Sequence, residues 1–194
     1  FWQGVKRMSG LETNRPSEDD VMDWMVEVSK IAKRNRLVNA VAVKVANGFR
    51  QQGFDAFVLK GQGNALLYPD PSSRTPGDID VYVHPQQQGD GWKNDEAAIR
   101  EIITFCKKLD KSARALYHHI DIPAVDKVPV EVHYRATWLN SPVNNRRLQN
   151  LLSTLLSRKD GTKHVALPEE AGEITVPGFS LFDWHVYRLT GVSP

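Results

Sequence analysis

The sequence predicts an α/β (α+β) chain in which an N-terminal helical segment leads into short strands alternating with helices. Three observations carry this reading. Apolar residues recur at helical spacing before Gly53. A short apolar stretch, "FDAFVL" (54–59), runs straight into a glycine-rich turn. "DIDVYVH" (78–84) then alternates polar with apolar residues, the period of a half-buried strand. At 194 residues the chain can bury one good core and a part of another.

The elements follow in order. Residues 1–16 are mixed and end at Pro16. Ser17, with Asp20 three residues on, reads as a helix start. Val21, Trp24, Met25, Val28, Ile31 and Ala32 then share one helical face. A second helix is expected from Leu37 to Gln51, stopped by Gly53. After the strand at 54–59, Gly61 and Gly63 break the chain and "NALLY" can begin a helix. Residues 69–77, with three prolines, are a loop. Beyond the strand at 78–84 and a polar loop, Asn94 caps a helix to about Lys108, with Ala98, Ile102 and Cys106 on one face. "ALYHHIDIPA" and "VPVEVHYRAT" form a hairpin turning near Asp126-Lys127. A helix over 144–158, short strands at "HVALP" and "EITVPG", and a last helix at "FSLFDWHVYRL" complete the chain. The organisation reads as 1–53 helical, 54–140 an α/β core and 141–194 a C-terminal helix with short strands.

Composition excludes several classes. Hydrophobic residues make up 41% and charged residues 25%, an ordinary globular balance. With 25 basic and 23 acidic residues the net charge is +2, which does not require a nucleic-acid partner and disfavours an RNA-binding module. The single cysteine excludes an internal disulfide and fits a reducing compartment, so a cytoplasmic location is expected. No apolar run approaches the ~20 residues of a membrane helix, and the first residues lack the apolar core of a signal peptide. The chain begins with Phe1 rather than Met, which admits a fragment of a longer protein.

The chemistry concentrates between residues 58 and 135. Asp78 and Asp80 stand at i and i+2 of the expected strand, so their carboxylates leave one face with Cα atoms ~6.5–7 Å apart. Two carboxylates that close repel unless a cation lies between them, and hard oxygen donors suit Mg²⁺ or Mn²⁺. A bare D-x-D is commonly a solvated strand face, so its surroundings decide. Lys60-Gly61-Gln62-Gly63 lies between a strand and a helix, where glycines let backbone N–H groups approach phosphate oxygens; the same residues also suit a plain tight turn. Glu131 stands on another expected strand, sharing a face with His133 and Arg135, while Val130, Val132 and Tyr134 face the other way. It is either an exposed edge residue or the third carboxylate of a site for two metal ions ~3.5–4 Å apart. His133 and, across the hairpin, His119 either orient a carboxylate or hydrogen-bond on the sheet surface. Cys106, Trp24, Trp138 and Trp184 read as packing residues, and the basic "NNRRLQ" at 144–149 as a solvated helix start.

A strand, Lys60-Gly61, a helix, a loop bearing Arg74, "DIDVYV" and "VEVHY", in that order, resemble the nucleotidyltransferases of the DNA polymerase β superfamily. The nearest branch is the uncharacterised bacterial group patterned K-G, R, D-x-D and Glu-x-His. The resemblance covers about Phe54 to Trp138. It departs from the superfamily at the turn, where Gly-Gly or Gly-Ser is usual and Gly61-Gln62 with Gly63 stands here. It implies the nucleotidyltransferase fold, a small mixed β-sheet with flanking helices. It also implies transfer of a nucleoside monophosphate from an NTP, with ATP expected, to an acceptor hydroxyl with release of pyrophosphate. Asp78, Asp80 and Glu131 would be the catalytic, metal-holding residues for two Mg²⁺ (or Mn²⁺) ions. Lys60, Gly61, Gln62, Gly63 and Arg74 would contact phosphates, Gln62 through backbone and amide groups; Arg74 is equally a partner that orients Asp78. The runner-up is a catalytically inactive member that binds a nucleotide or a partner protein, favoured if Glu131 lies far from the aspartates. A metal-dependent phosphohydrolase is the third reading.

Overall fold

The computed structural model describes residues 2–10, 13, 15–86, 96–156 and 161–178. Helix α1 (Trp2–Ser9) precedes α2 (Glu18–Gln51), a single helix of 34 residues. Ser17 starts α2 through a capping box: its hydroxyl accepts from the Asp20 N–H at 3.1 Å, and the Asp20 carboxylate accepts from the Ser17 N–H at 3.3 Å. The expected break between two helices near residues 33–36 does not occur. Lys33-Arg34-Asn35-Arg36 contains no breaker, and the less exposed stripe Val21, Trp24, Val28, Ile31 continues through Asn35 to Val38, Ala42, Val45 and Phe49. Asn35 looks like an interruption only because a polar residue occupies a core-facing position.

Strand β1 (Phe54–Val58) follows Gly53, whose φ of 83° is a conformation glycine adopts without strain. The helix expected from "NALLY" reduces to one turn, α3 (Gln62–Ala65), because Pro69 and Pro71 lie just beyond it. A 3-10 turn at Pro71–Ser73 leads to β2 (Ile79–Pro85). Every residue of β2 is buried, where a half-buried strand was expected, since the strand is internal to its sheet and covered on both sides. Helix α4 (Glu96–Leu109), β3 (His119–Val125), β4 (Val128–His133) and α5 (Pro142–Leu156) follow. The β3–β4 hairpin turns at Asp126 and Lys127, with φ of 49° and 65°, as a two-residue loop that matches strand twist requires. Strands β5 (Thr162–Leu167) and β6 (Gly172–Pro177) make a second hairpin. Asn94, the helix at 179–189 and Trp184 lie outside the described residues.

The main sheet has the order β1-β2-β4-β3 and is mixed: β1 runs antiparallel to β2, β2 parallel to β4, and β4 antiparallel to β3. One face carries Ile79, Val81, Val83, Val130, Val132 and Ile120 and packs on α2 and α4, with Ile102 and Cys106 from α4 in the same cluster. Leu167 and Ile174 of the second hairpin join that core. The other face is polar, except where Phe57, Leu59 and Tyr82 meet Leu156 of α5.

Candidate functional site

Register builds the polar face into two rows. Phe57 pairs with Tyr82, Tyr82 with His133 and His133 with His119, one row across all four strands. In the next row Asp80 pairs with Glu131 and Glu131 with Asp121. Three carboxylates and two histidines are therefore neighbours because alternate residues of a strand share a face and the three strands are in step.

Asp80 is the hub. Its side chain is 3% exposed, and Oδ1 receives Lys60 Nζ at 2.7 Å and His133 Nε2 at 2.9 Å. His133 Nε2 also lies 3.3 Å from Glu131 Oε2. Both neighbours of that nitrogen are acceptors, so Nε2 carries the ring proton and donates it. Burial pushes the Asp80 carboxyl up, but the hydrogen bonds and positive charge of His133 and Lys60 outweigh it and hold the group below the usual carboxylate range. Burial likewise lowers Lys60, and the charges of Asp80, Glu131 and Asp78 outweigh that to hold its ammonium above the ordinary value. Lys60 remains half-exposed. Glu131 is partly exposed, so the cluster opens to solvent beside these two residues.

The other expected site residues are placed as follows. Asp78 is exposed and precedes β2 rather than lying within it, close enough for its charge to act on Lys60. Gly61 has φ of 54° and its Cα faces the Asp78 carbonyl, where a Cβ would come within 3.6 Å. Gly63 serves packing: a Cβ there would stand 3.1 Å from Val176 Cγ1 and 3.3 Å from the Val58 carbonyl. The Gln62 amide departs from expectation. It is buried and turned into α2, donating from Nε2 to Asn39 Oδ1, so its side chain does not face the carboxylates. Arg74 makes no ion pair with Asp78 among the described residues. Its Nη1 is buried without a hydrogen-bond partner, and its carbonyl accepts from Asn35 Nδ2 at 2.6 Å. Asn35 Nδ2 also reaches the Ser72 carbonyl at 2.9 Å, so the middle of α2 pins the loop that carries Arg74.

His119 and His133 meet at 5.3 Å between ring centroids. His118, which sequence reasoning missed, completes the group, with its ring 4.4 Å from His119 and 5.5 Å from His133. Burial lowers the His118 pKa, and the charges of His119, His133, Lys60 and Arg135 lower it further. The "HH" doublet opening β3, opposite a Glu-x-His strand, was the available signal. Asp121 was missed as well, although it stands two residues after His119. Beside these rings, Tyr117 and Trp138 meet edge to face at 5.6 Å, and Arg135 lies 4.4 Å over the Tyr117 ring.

Asp80, Glu131 and His133 each offer a ligand atom, and these lie within 4.8 Å of one another; Asp78 is not in that group. The carboxylate oxygens suit a divalent cation. A cavity of about 460 Å³ lies on the opposite side of the sheet, lined by Phe49, Phe105 and Ile122, and Lys44 is its one ionisable lining residue. No helix among the described residues is long and apolar enough to cross a membrane.

A family model described as an uncharacterised nucleotidyltransferase matches residues 2–172. No curated protein and no solved structure matches the chain.

Proposed function

The chain belongs to this uncharacterised nucleotidyltransferase family, and on that premise we propose that it moves a nucleoside monophosphate from an NTP, ATP in the first instance, to an acceptor hydroxyl. The observation that carries the proposal is the pairing of Asp80 with Glu131 across parallel strands, with Lys60 bound to Asp80. The inactive-member reading called for Glu131 to be remote from the aspartates, and register places it directly beside Asp80.

In this reading Asp78, Asp80 and Glu131 would hold Mg²⁺ or Mn²⁺, two ions in all. When bound, they would supply charge to stabilise the attacking and leaving oxygens and to acidify the acceptor hydroxyl. Asp80 is already ionised and oriented by His133 and Lys60. Lys60, half-exposed on a flexible stem, can turn from Asp80 to a triphosphate. Gly61 stands at the head of α3, and the partly buried Arg74 guanidinium, with Nη1 unpartnered, is a second cation for phosphate. His133 is a positioning residue that steadies both carboxylates through one N–H.

The test is calorimetric titration of a non-hydrolysable ATP analogue with Mg²⁺ or Mn²⁺ into the native chain and into Asp78→Asn/Asp80→Asn. Binding that needs metal and is lost in the double variant supports the proposal. Binding indifferent to metal and to both substitutions would return the chain to the inactive, nucleotide-binding reading. Absence of binding overturns the proposal.

A further inference from the structure

We propose that His118, His119 and His133 form a nitrogen-donor site for a borderline divalent transition metal, Zn²⁺ by chemical class, beside the carboxylate cluster and sharing His133 with it. The three histidines each offer a ring nitrogen, and these lie within 4.8 Å of one another.

The hydrogen bonding of two of the rings points to a ligand. His133 is 3% exposed, and its Nε2 faces Asp80 and Glu131. Its Nδ1 is buried and has no hydrogen-bond partner. His119, 9% exposed, shares one feature: its Nδ1 is buried without a partner, while Nε2 stands 3.7 Å from Asp121 Oδ1. At His119 the Asp121 carboxylate stands beyond hydrogen-bond reach, whereas at His133 Asp80 and Glu131 hold the proton on Nε2 and leave the Nδ1 lone pair free. That is the carboxylate–histidine–metal arrangement, in which the outer carboxylate sets the tautomer and raises the basicity of the ligating nitrogen. A buried ring nitrogen with no partner is otherwise unfavourable, and two of them on adjacent strands are unusual in a packed core.

Ring placement fits the same ligand. Zn–N bonds of ~2.0–2.1 Å in a tetrahedral site put ligating nitrogens roughly 3.3–3.4 Å apart and ring centroids near 5 Å. The observed centroid separations are 4.4, 5.3 and 5.5 Å, so the rings need only small adjustments to close on a cation. Three imidazoles leave a fourth position open, the form of a catalytic rather than a structural zinc site. Imidazole nitrogen also separates this site from the carboxylate cluster, whose oxygens prefer harder ions. His133 belongs to both groups, with Nε2 facing the carboxylates.

The experiment uses the full chain, free of any histidine tag and stripped with a chelator, titrated with Co²⁺ alone and no nucleotide. Visible ligand-field absorption and calorimetry are read together. One Co²⁺ per chain with intense, low-symmetry absorption is expected, displaced by Zn²⁺ and not by excess Mg²⁺. His118→Ala, at a half-buried ring outside the strands, should weaken binding by about tenfold or more, as loss of one of three ligands requires. His119→Ala should do the same, and Lys44→Ala, on the opposite side of the sheet, should leave both spectrum and affinity unchanged. Absence of binding, or binding unaltered in both histidine variants, overturns the site. Circular dichroism on each variant keeps an unfolded chain from counting as lost binding, and His118→Asn replaces any variant that fails to fold. Because no nucleotide is present, the outcome is independent of the nucleotidyl-transfer reading, which stands or falls on the analogue titration.

Discussion

His133 Nε2 lies 2.9 Å from Asp80 Oδ1, and both side chains are 3% exposed. The two belong to adjacent parallel strands, two residues out of register, because Asp80 pairs with Glu131. One imidazole N–H thus reaches two carboxylates that would otherwise drift apart or take up a proton. His133→Ala is expected to weaken metal-dependent binding of the ATP analogue by about 10–100-fold, the range for loss of a partner that orients a ligand. His133→Gln, whose amide N–H can still donate, should recover part of it. Calorimetry on the two variants checks this, and equal binding in His133→Ala and native protein would remove the positioning role.

Lys60 occupies Asp80 in the absence of any ligand, at 2.7 Å. It therefore competes with a cation for that carboxylate while favouring phosphate. Lys60→Met should tighten Mn²⁺ binding in the absence of nucleotide and weaken binding of the ATP analogue by about tenfold, or ~1.4 kcal/mol. Mn²⁺ titration by electron paramagnetic resonance, with and without the analogue, reads both directions. A variant that loses both affinities together would show that Lys60 acts only by supporting the fold.

Gly63 and Gly48 separate packing from backbone propensity. A Cβ on Gly63 meets Val176 Cγ1 at 3.1 Å and the immobile Val58 carbonyl at 3.3 Å, whereas one on Gly48, inside α2, meets nothing within 4 Å. Gly63→Ala should destabilise the fold by about 1–3 kcal/mol through overpacking. Gly48→Ala should stabilise it by roughly 0.5–1 kcal/mol through helix propensity. Urea denaturation of the two variants gives the signs, and Gly63→Ala as stable as native would refute the packing role.

Cys106 is fully buried in α4, and burial pushes its thiol up to about 12. The folded chain keeps the thiol proton over a pH range in which the unfolded chain has lost it, so the group's contribution to stability falls as pH rises from about 9 towards 12. Cys106→Ala should reduce that alkaline loss, at the expense of a cavity. Iodoacetamide at pH 8 should leave native protein unmodified and label it once denatured; rapid labelling of folded protein would contradict the burial.

Lys127 holds φ of 65° in the β3–β4 turn, a region a side chain enters at some energetic expense. Lys127→Gly should raise stability by about 0.5–1 kcal/mol, since glycine is favoured at that position of a two-residue hairpin loop. Thermal unfolding measures it, and a fall in melting temperature would show that glycine's larger unfolded-state entropy outweighs relief of the turn.

Much of this was readable along the chain. The Ser17–Asp20 capping box, the strands around Phe57, Val81 and Val132, and the turn at Asp126-Lys127 are local effects of hydrogen bonding and side-chain period, so neighbouring residues determine them. The same locality explains the break expected between Ala32 and Leu37, where Asn35 lies. Its role in holding Arg74 depends on residues nearly forty positions away, and a polar side chain on an apolar stripe resembles a break until the loop it pins is seen. Full burial of β2 was hidden for a related reason, because alternation reports side-chain polarity but not what covers each face.

The sequence by itself determined which side chains could share a face: Glu131 with His133 in one strand, His119 with Asp121 in another. Only the tertiary structure decided which strands lie side by side and in what step. A shift of one residue between β2 and β4 would send Asp80 and Glu131 to opposite faces of the sheet. Packing of Val81 and Val132 against α2 and α4 forbids that shift. The cluster of acids and histidines thus exists because a hydrophobic core on the far side of the sheet holds the strands in register.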